Sequence, residues 1–224
     1  MQKKIYLIIA VVFISCATYL GKSDKLIDYV DPFIGSGGHG HVFVGANVPF
    51  GGVQVGPTNF NKGWDWSSSY HHTDSIVKGF CHINVSGTGM SDLGELTIMP
   101  ATGKLMTGAG TQNNHMAGYS SLYYKDKEHA SVGYYKVHLE RYDIDVELTA
   151  TERVGLHKYR FPKSDQSRVI IDLGEGSADR PTETYLKKIN DTLFQGHRFS
   201  SGWARDQREY FSLIISKPVD DFIL

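Results

Sequence analysis

Two stretches of this sequence combine residue types that can do chemistry at close spacing. Gly63-Trp-Asp-Trp66 sets a carboxylate between two indoles and runs into Ser67-Ser-Ser-Tyr-His-His72. Sugars are held by stacking their apolar C–H faces on aromatic rings while carboxylates accept hydrogen bonds from their hydroxyls, and Trp64, Asp65 and Trp66 supply both. The same pair of indoles could equally be core residues. Ser86-Gly-Thr-Gly-Met-Ser-Asp-Leu-Gly-Glu95 places Asp92 and Glu95 among glycines. Two carboxylates can hydrolyse a glycoside if suitably separated, or bind calcium together with backbone oxygens. Spacing selects neither, and solvated turn acids are the default reading of this segment.

Other patterns point to less. Gly35-Ser-Gly-Gly-His-Gly-His41 has the glycines of an anion-cradling loop but lacks the lysine and following helix of a phosphate-binding loop, and the dinucleotide pattern is absent. His39, His41, His71 and His72 could offer imidazoles to zinc, yet no cysteine pair or HExxH pattern accompanies them. Hydrogen bonding of these loop histidines to backbone or ligand is the simpler expectation, and no residue is assigned to a metal.

These residues need a scaffold. The chain has 224 residues, 41% hydrophobic and 12% aromatic, enough for one large domain with a sizeable core. Twenty-four glycines beside 13 tyrosines and 11 phenylalanines favour turns and aromatic-rich strands over helices. Lysine and arginine total 23 against 24 acids, so no basic face is available for nucleic acid.

Met1–Lys4 and the apolar run Ile5–Ile14 match a secretory signal, too short for the roughly 20 residues of a membrane span. Phe13-Ile-Ser-Cys16 resembles the lipobox of bacterial lipoproteins. Residues 1–15 are therefore expected to be a signal peptide, Cys16 a lipid anchor on the membrane, residues 16–27 a tether, and the location the cell envelope, periplasmic or cell-surface. Removal of residues 1–15 leaves 21 basic against 24 acidic residues, a net charge of −3. With Cys16 acylated, Cys81 has no disulfide partner, so packing must stabilise the fold.

Residues 28–224 read as one domain with two textures. Up to about Gly118, glycine, histidine and aromatic residues predict short strands joined by demanding loops, where function would sit. Beyond Ser131 strands are legible. Asp143–Leu148 alternates acid and aliphatic residue, burying Ile144, Val146 and Leu148 on one face. Val154 and Leu156 continue that phase while Tyr159 and Phe161 break it, which predicts a bulge near His157. Arg168–Leu173 reads as a more buried strand, Tyr185–His197 as a hairpin turning at Asn190-Asp191, and Glu209–Ile215 as a further strand. Successive strands without amphipathic helices predict an all-β antiparallel sandwich.

Tyr29-Val-Asp-Pro-Phe-Ile-Gly-Ser-Gly-Gly-His-Gly-His41, Val48-Pro-Phe-Gly-Gly-Val-Gln54, Gly63-Trp-Asp-Trp66, Ser86-Gly-Thr-Gly89 with Asp92-Leu-Gly94, and Leu148-Thr-Ala-Thr151 with Arg153-Val-Gly155 resemble, in order, the N-terminal domain of glycoside hydrolase family 92. The resemblance implies a galactose-mutarotase-like supersandwich, incomplete here at its C-terminus. It further implies an inverting, calcium-dependent, exo-acting α-mannosidase of α-1,2 type, acting on mannose-containing glycans. In the family the general acid, the general base and most calcium ligands lie in a helical (α/α)6 domain that this chain lacks, so no catalytic residue is assigned. What carries over is subsite lining by Gly38, His39, Trp64, Asp65, Trp66, Ser86, Thr88 and Asp92. The rival reading is a free-standing carbohydrate-binding lipoprotein without hydrolase activity.

Overall fold

The computed structural model describes residues 25–224, so the signal segment and Cys16 lie outside the described residues. The chain divides into two compact units, residues 1–31 and 32–224. In the described part of the first, a 3-10 turn spans Leu26–Tyr29, closed by the Val30 N–H on the Ile27 carbonyl. Among the described residues the second unit carries the strands: β1 (Ala46–Asn47), β2 (Gln54–Thr58), β3 (Ile76–Val77), β4 (Gly79–Cys81), β5 (Thr97–Ala101), β6 (Ser121–Leu122), β7 (Glu128–Ser131), β8 (Tyr134–Leu139), β9 (Ile144–Ala150), β10 (Gly155–Arg160), β11 (Arg168–Asp172), β12 (Arg180–Lys188), β13 (Leu193–Ser201) and β14 (Gln207–Ile214).

Their pairings are antiparallel throughout. A five-stranded sheet has the order β1-β2-β4-β5-β11, and a four-stranded sheet the order β10-β9-β8-β7. The two pack face to face, with β1 and β2 lying on β9. Val44, Ala46, Val55, Phe80 and Met99 from one layer meet Tyr135, Val137, Ile144, Val146 and Leu148 from the other. A third sheet, β12-β13-β14, and the small pair β3-β6 complete the unit. The fold is thus the antiparallel sandwich that the strand pattern predicts.

β9 buries Ile144, Val146 and Leu148 while its polar residues are half-buried, because strand side chains alternate between faces. Asp143 enters it with φ of 52°, a left-handed turn residue, a conformation that aspartate tolerates better than most. β12 and β13 form the expected hairpin through residues 189–192, and Asn190 closes the turn by accepting from the Thr192 and Leu193 N–H groups.

Two strand expectations are corrected. β10 pairs with β9 in unbroken register from Gly155–Ala150 to Arg160–Asp145, so there is no bulge at His157. Leu156 points outward with Val154, and the inward face is Gly155, His157 and Tyr159. The apolar side chains mislead because the inward position is filled by a histidine. His157 Nε2 lies 3.0 Å from His82 Nε2, and its Nδ1 accepts from the Tyr159 hydroxyl at 2.7 Å. The other ring nitrogen of His82 donates to the Leu96 carbonyl at 2.8 Å, and two neutral imidazoles satisfy every bond of this chain. Burial accordingly pushes His82 down to about 4 and His157 well below the ordinary histidine value. β11, read as more buried, is only half-buried along its length because it forms the edge of its sheet, paired with β5 alone.

Candidate functional site

Three loop segments of the first texture meet one another. The loop at residues 35–41 doubles back on itself: the Val42 N–H bonds the Gly35 carbonyl, and a Cβ at Gly40 would sit 2.0 Å from that same oxygen. Only glycine closes this turn. It is tied to the second segment by the His72 N–H on the Ser36 carbonyl and by His71 Nε2 on the Gly38 carbonyl, 3.2 Å. The second segment makes a 3-10 turn at Trp64–Trp66, entered through Gly63 at φ of 120°. The third, residues 86–89, is fastened by the Gly87 N–H on the His41 carbonyl, 2.7 Å.

The two tryptophans take different roles, which the spacing alone leaves open. Trp66 is half-buried: its ring stacks on His71 at 4.3 Å and its Nε1–H donates to Asp74 at 2.9 Å. Asp74 is itself buried and paired with Lys62, whose ammonium lies 5.4 Å from the Trp66 ring centroid. Trp66 is thus fixed in the wall. Trp64 is 58% exposed. His39 tilts against it at 5.1 Å and His41 meets it edge-on at 4.3 Å, while a Cβ at Gly89 would lie 2.6 Å from its Nε1.

Asp65 accepts from His39 Nδ1 at 2.6 Å, and this bond holds its carboxyl below the ordinary carboxylate range. The outcome is an exposed indole beside an ionised carboxylate and an accessible imidazole. Such a surface can stack on a sugar face and bond its hydroxyls, and it contains no pair of carboxylates poised for acid–base work.

The remaining expected residues divide. Gly38, Ser86 and Thr88 are exposed on the rim, where the Thr88 hydroxyl bonds the Met90 backbone. Asp92 is 8% exposed. Its Oδ2 accepts from Gln207 Nε2 at 2.9 Å and from the Ala204 N–H at 3.3 Å, so it faces the β13–β14 turn. Glu95 is buried as well, and the reading of these two as solvated turn acids is corrected. They belong to a hub centred on Arg198, which is fully buried on β13. The Arg198 guanidinium grips Asp179 at 2.5 and 3.2 Å, donates to the Leu173 carbonyl at 3.0 Å and lies 3.6 Å from Glu95. Glu209, opposite Arg198 in the β13–β14 register, is pushed up to about 7, mainly by burial and then by Glu95.

His41 is the site residue that sequence reasoning passed over except as one of four zinc candidates. Its left-handed backbone and its burial beneath Trp64 are invisible in a one-dimensional pattern. For calcium, no group of three or more histidine, cysteine, aspartate or glutamate side chains is placed to hold a metal among the described residues.

Known proteins share this architecture. A family GH92 α-mannosidase from Bacteroides thetaiotaomicron, solved in complex with mannoimidazole, superposes with a TM-score of 0.85 and 36% identity over 88% of this chain. Its structure without that ligand gives a TM-score of 0.86. An inverting GH92 mannosidase from Bacteroides thetaiotaomicron shares the fold at a TM-score of 0.71 and 23% identity. A protein of Arthroderma benhamiae described as an uncharacterized secreted glycosidase is 26% identical over 165 residues, 66% of this chain. The chain spans 26% of those solved structures and 20% of that relative. Residues 29–224 match the glycosyl hydrolase family 92 N-terminal domain, and the chain belongs to that family.

Proposed function

We propose that this chain supplies the non-catalytic wall of a mannose subsite in an exo-acting α-mannosidase, of α-1,2 specificity, with Trp64 as the stacking platform and Asp65 and His39 as hydroxyl partners. The carrying observation is the exposed Trp64 ring set beside a carboxylate that His39 keeps ionised. Gly38, Ser86 and Thr88 form the rim, Trp66 backs the wall, and Asp92 acts from beneath by holding the adjoining turn. The ligand class is supported by the solved α-mannosidase bound to mannoimidazole, at 36% identity. Inversion needs a carboxylic acid and a carboxylate about 6.5 to 9.5 Å apart across the sugar, and the family resemblance assigns these, with most calcium ligands, to the helical domain of longer members.

Residues 1–15 act as an export signal and Cys16 as the acylated anchor, with 16–27 a tether and 28–224 the sandwich domain. Export accords with the secreted description of the Arthroderma benhamiae relative. Titration of the purified chain with methyl α-mannoside, followed by isothermal calorimetry, tests the subsite. Binding is expected in the wild type and lost in Trp64→Ala and Asp65→Ala; equal binding in both variants overturns the reading.

A further inference from the structure

The three site loops converge on one residue that the subsite reading gives no task. His41 is 6% exposed, and its backbone adopts φ of 54°, a left-handed conformation that is uncommon outside glycine, although asparagine, aspartate and histidine enter it more often than other residues. Its carbonyl accepts the Gly87 N–H that fastens the 86–89 segment. Its ring meets Trp64 edge-on at 4.3 Å and 85°. Its Nε2 is buried without a hydrogen-bond partner, 3.7 Å from the Asp65 oxygen that His39 holds at 2.6 Å. Strained backbone and an unsatisfied buried nitrogen both oppose folding, and such features persist where the surroundings impose them for function.

We infer that His41 is a positioning residue: its backbone and ring together lock Trp64, Asp65 and the 86–89 loop into one arrangement, and sugar affinity at Trp64 depends on that lock. The inference rests on the sugar reading only for its affinity consequence. The mechanical part stands on the contacts themselves. Trp64 is free on its outer side, so its orientation is set by the rings of His39 and His41 and by the backbone at Gly89. His39 is itself exposed and cannot constrain the indole strongly, which leaves His41 as the buried support.

His41→Asn separates support from strain, because asparagine tolerates the left-handed backbone and removes only the ring. His41→Phe keeps a flat ring edge without nitrogens. The informative readout is the heteronuclear NOE of the Trp64 indole N–H, assigned by its absence in Trp64→Ala. In His41→Asn that NOE should fall to values of a mobile side chain while those of Trp66 and Trp203 stay unchanged, with methyl α-mannoside affinity about tenfold weaker, a difference of about 1.4 kcal/mol. His41→Phe should recover part of both, since the bulky residue is strained in this backbone conformation. An unchanged Trp64 NOE in His41→Asn overturns the inference. A wild type that binds no mannoside breaks the subsite reading alone, since the mobility measurement still decides the role of His41.

Discussion

The Trp64 rim and the Arg198 hub use the same kinds of group, carboxylates with one or two cationic or imidazole partners, yet solvent makes them opposites. At the rim, Asp65 is bridged to an exposed His39, and water can replace either partner. At the hub, Asp179 and Glu95 face one fully buried guanidinium, Glu209 feels its charge, and Asp92 joins the network through Gln207 and Ser200. Burial, together with neighbouring carboxylates, raises Glu95 and Glu209, while Arg198 opposes the rise. The rim is arranged to meet a ligand. The hub joins β13 and β14 to the 92–95 and 173–179 segments, and its polarity is structural.

The sharpest way to break this contrast is at the hub. Arg198→Met removes the guanidinium that pairs with buried Asp179 and Glu95, and losing one partner of a buried pair costs on the order of 3 to 5 kcal/mol. Chemical denaturation should show a loss of that size, or no folded protein at all. A loss under about 1 kcal/mol would make the hub no more important than the rim.

Charge at the hub also predicts a pH profile, and the β10 histidines predict the reverse one. Glu209 is near 7 when folded and near 4.5 unfolded, so its contribution is lost as pH rises from about 4.5 to about 7. His82 is near 4 when folded and near 6.5 unfolded, so its contribution is present above 6.5 and lost as pH falls through that range toward 4. Each corresponds to roughly 3 kcal/mol over its window, taking 1.36 kcal/mol per unit. His157 adds to the rise with pH and Glu95 to the fall, so each variant is read as its difference from the wild type at each pH. Glu209→Gln should gain stability with rising pH, whereas His82→Gln should lose it. Parallel slopes in the two variants would show that these groups do not titrate as their burial demands.

Legibility in the sequence follows the same contrast. β9 and the β12–β13 hairpin were readable because period-2 alternation and Asn190-Asp191 are local signals. β10 was misphased because a buried histidine pair occupies positions where aliphatic residues were sought, and that pair closes only across the 75 residues from His82 to His157. The hub is equally hidden: Asp92 and Gln207 are 115 positions apart, and nothing near Asp92-Leu-Gly-Glu95 announces an arginine on a distant strand. Trp64, Asp65 and His39 were legible because aromatic and acidic residues among glycines mark a loop, while the different tasks of Trp64 and Trp66 depend on Asp74 and His71, which only folding brings to Trp66.

Trp66 should lie between the hub and the rim. Its ring is half-buried, and its deletion also strips the donor from buried Asp74, leaving that carboxylate with Lys62 and local backbone groups. A fully buried tryptophan replaced by alanine costs about 3 to 5 kcal/mol, so a half-buried one should cost about 2 kcal/mol. Thermal denaturation of Trp66→Ala checks the figure, and Trp66→Phe should recover the stacking on His71 but not the Asp74 bond.

Trp64→Ala should perturb stability least, and this makes it the decisive variant for function. The ring lies largely in solvent, has no hydrogen bond through its Nε1 in the folded chain, and touches mainly histidine edges and the Gly89 backbone. Surface substitutions of this kind stay within about 0.5 kcal/mol of the wild type. A sugar stacked on the indole would lose its whole apolar platform, so affinity should fall far more than stability. Trp64→Phe separates the platform from the indole nitrogen: a smaller ring should retain part of the binding if stacking is the interaction. Should Trp64→Ala instead lower the melting temperature as much as Trp66→Ala does, the exposed ring would be a structural element, and the distinction between a ligand-facing rim and a buried hub would fail at its most exposed residue.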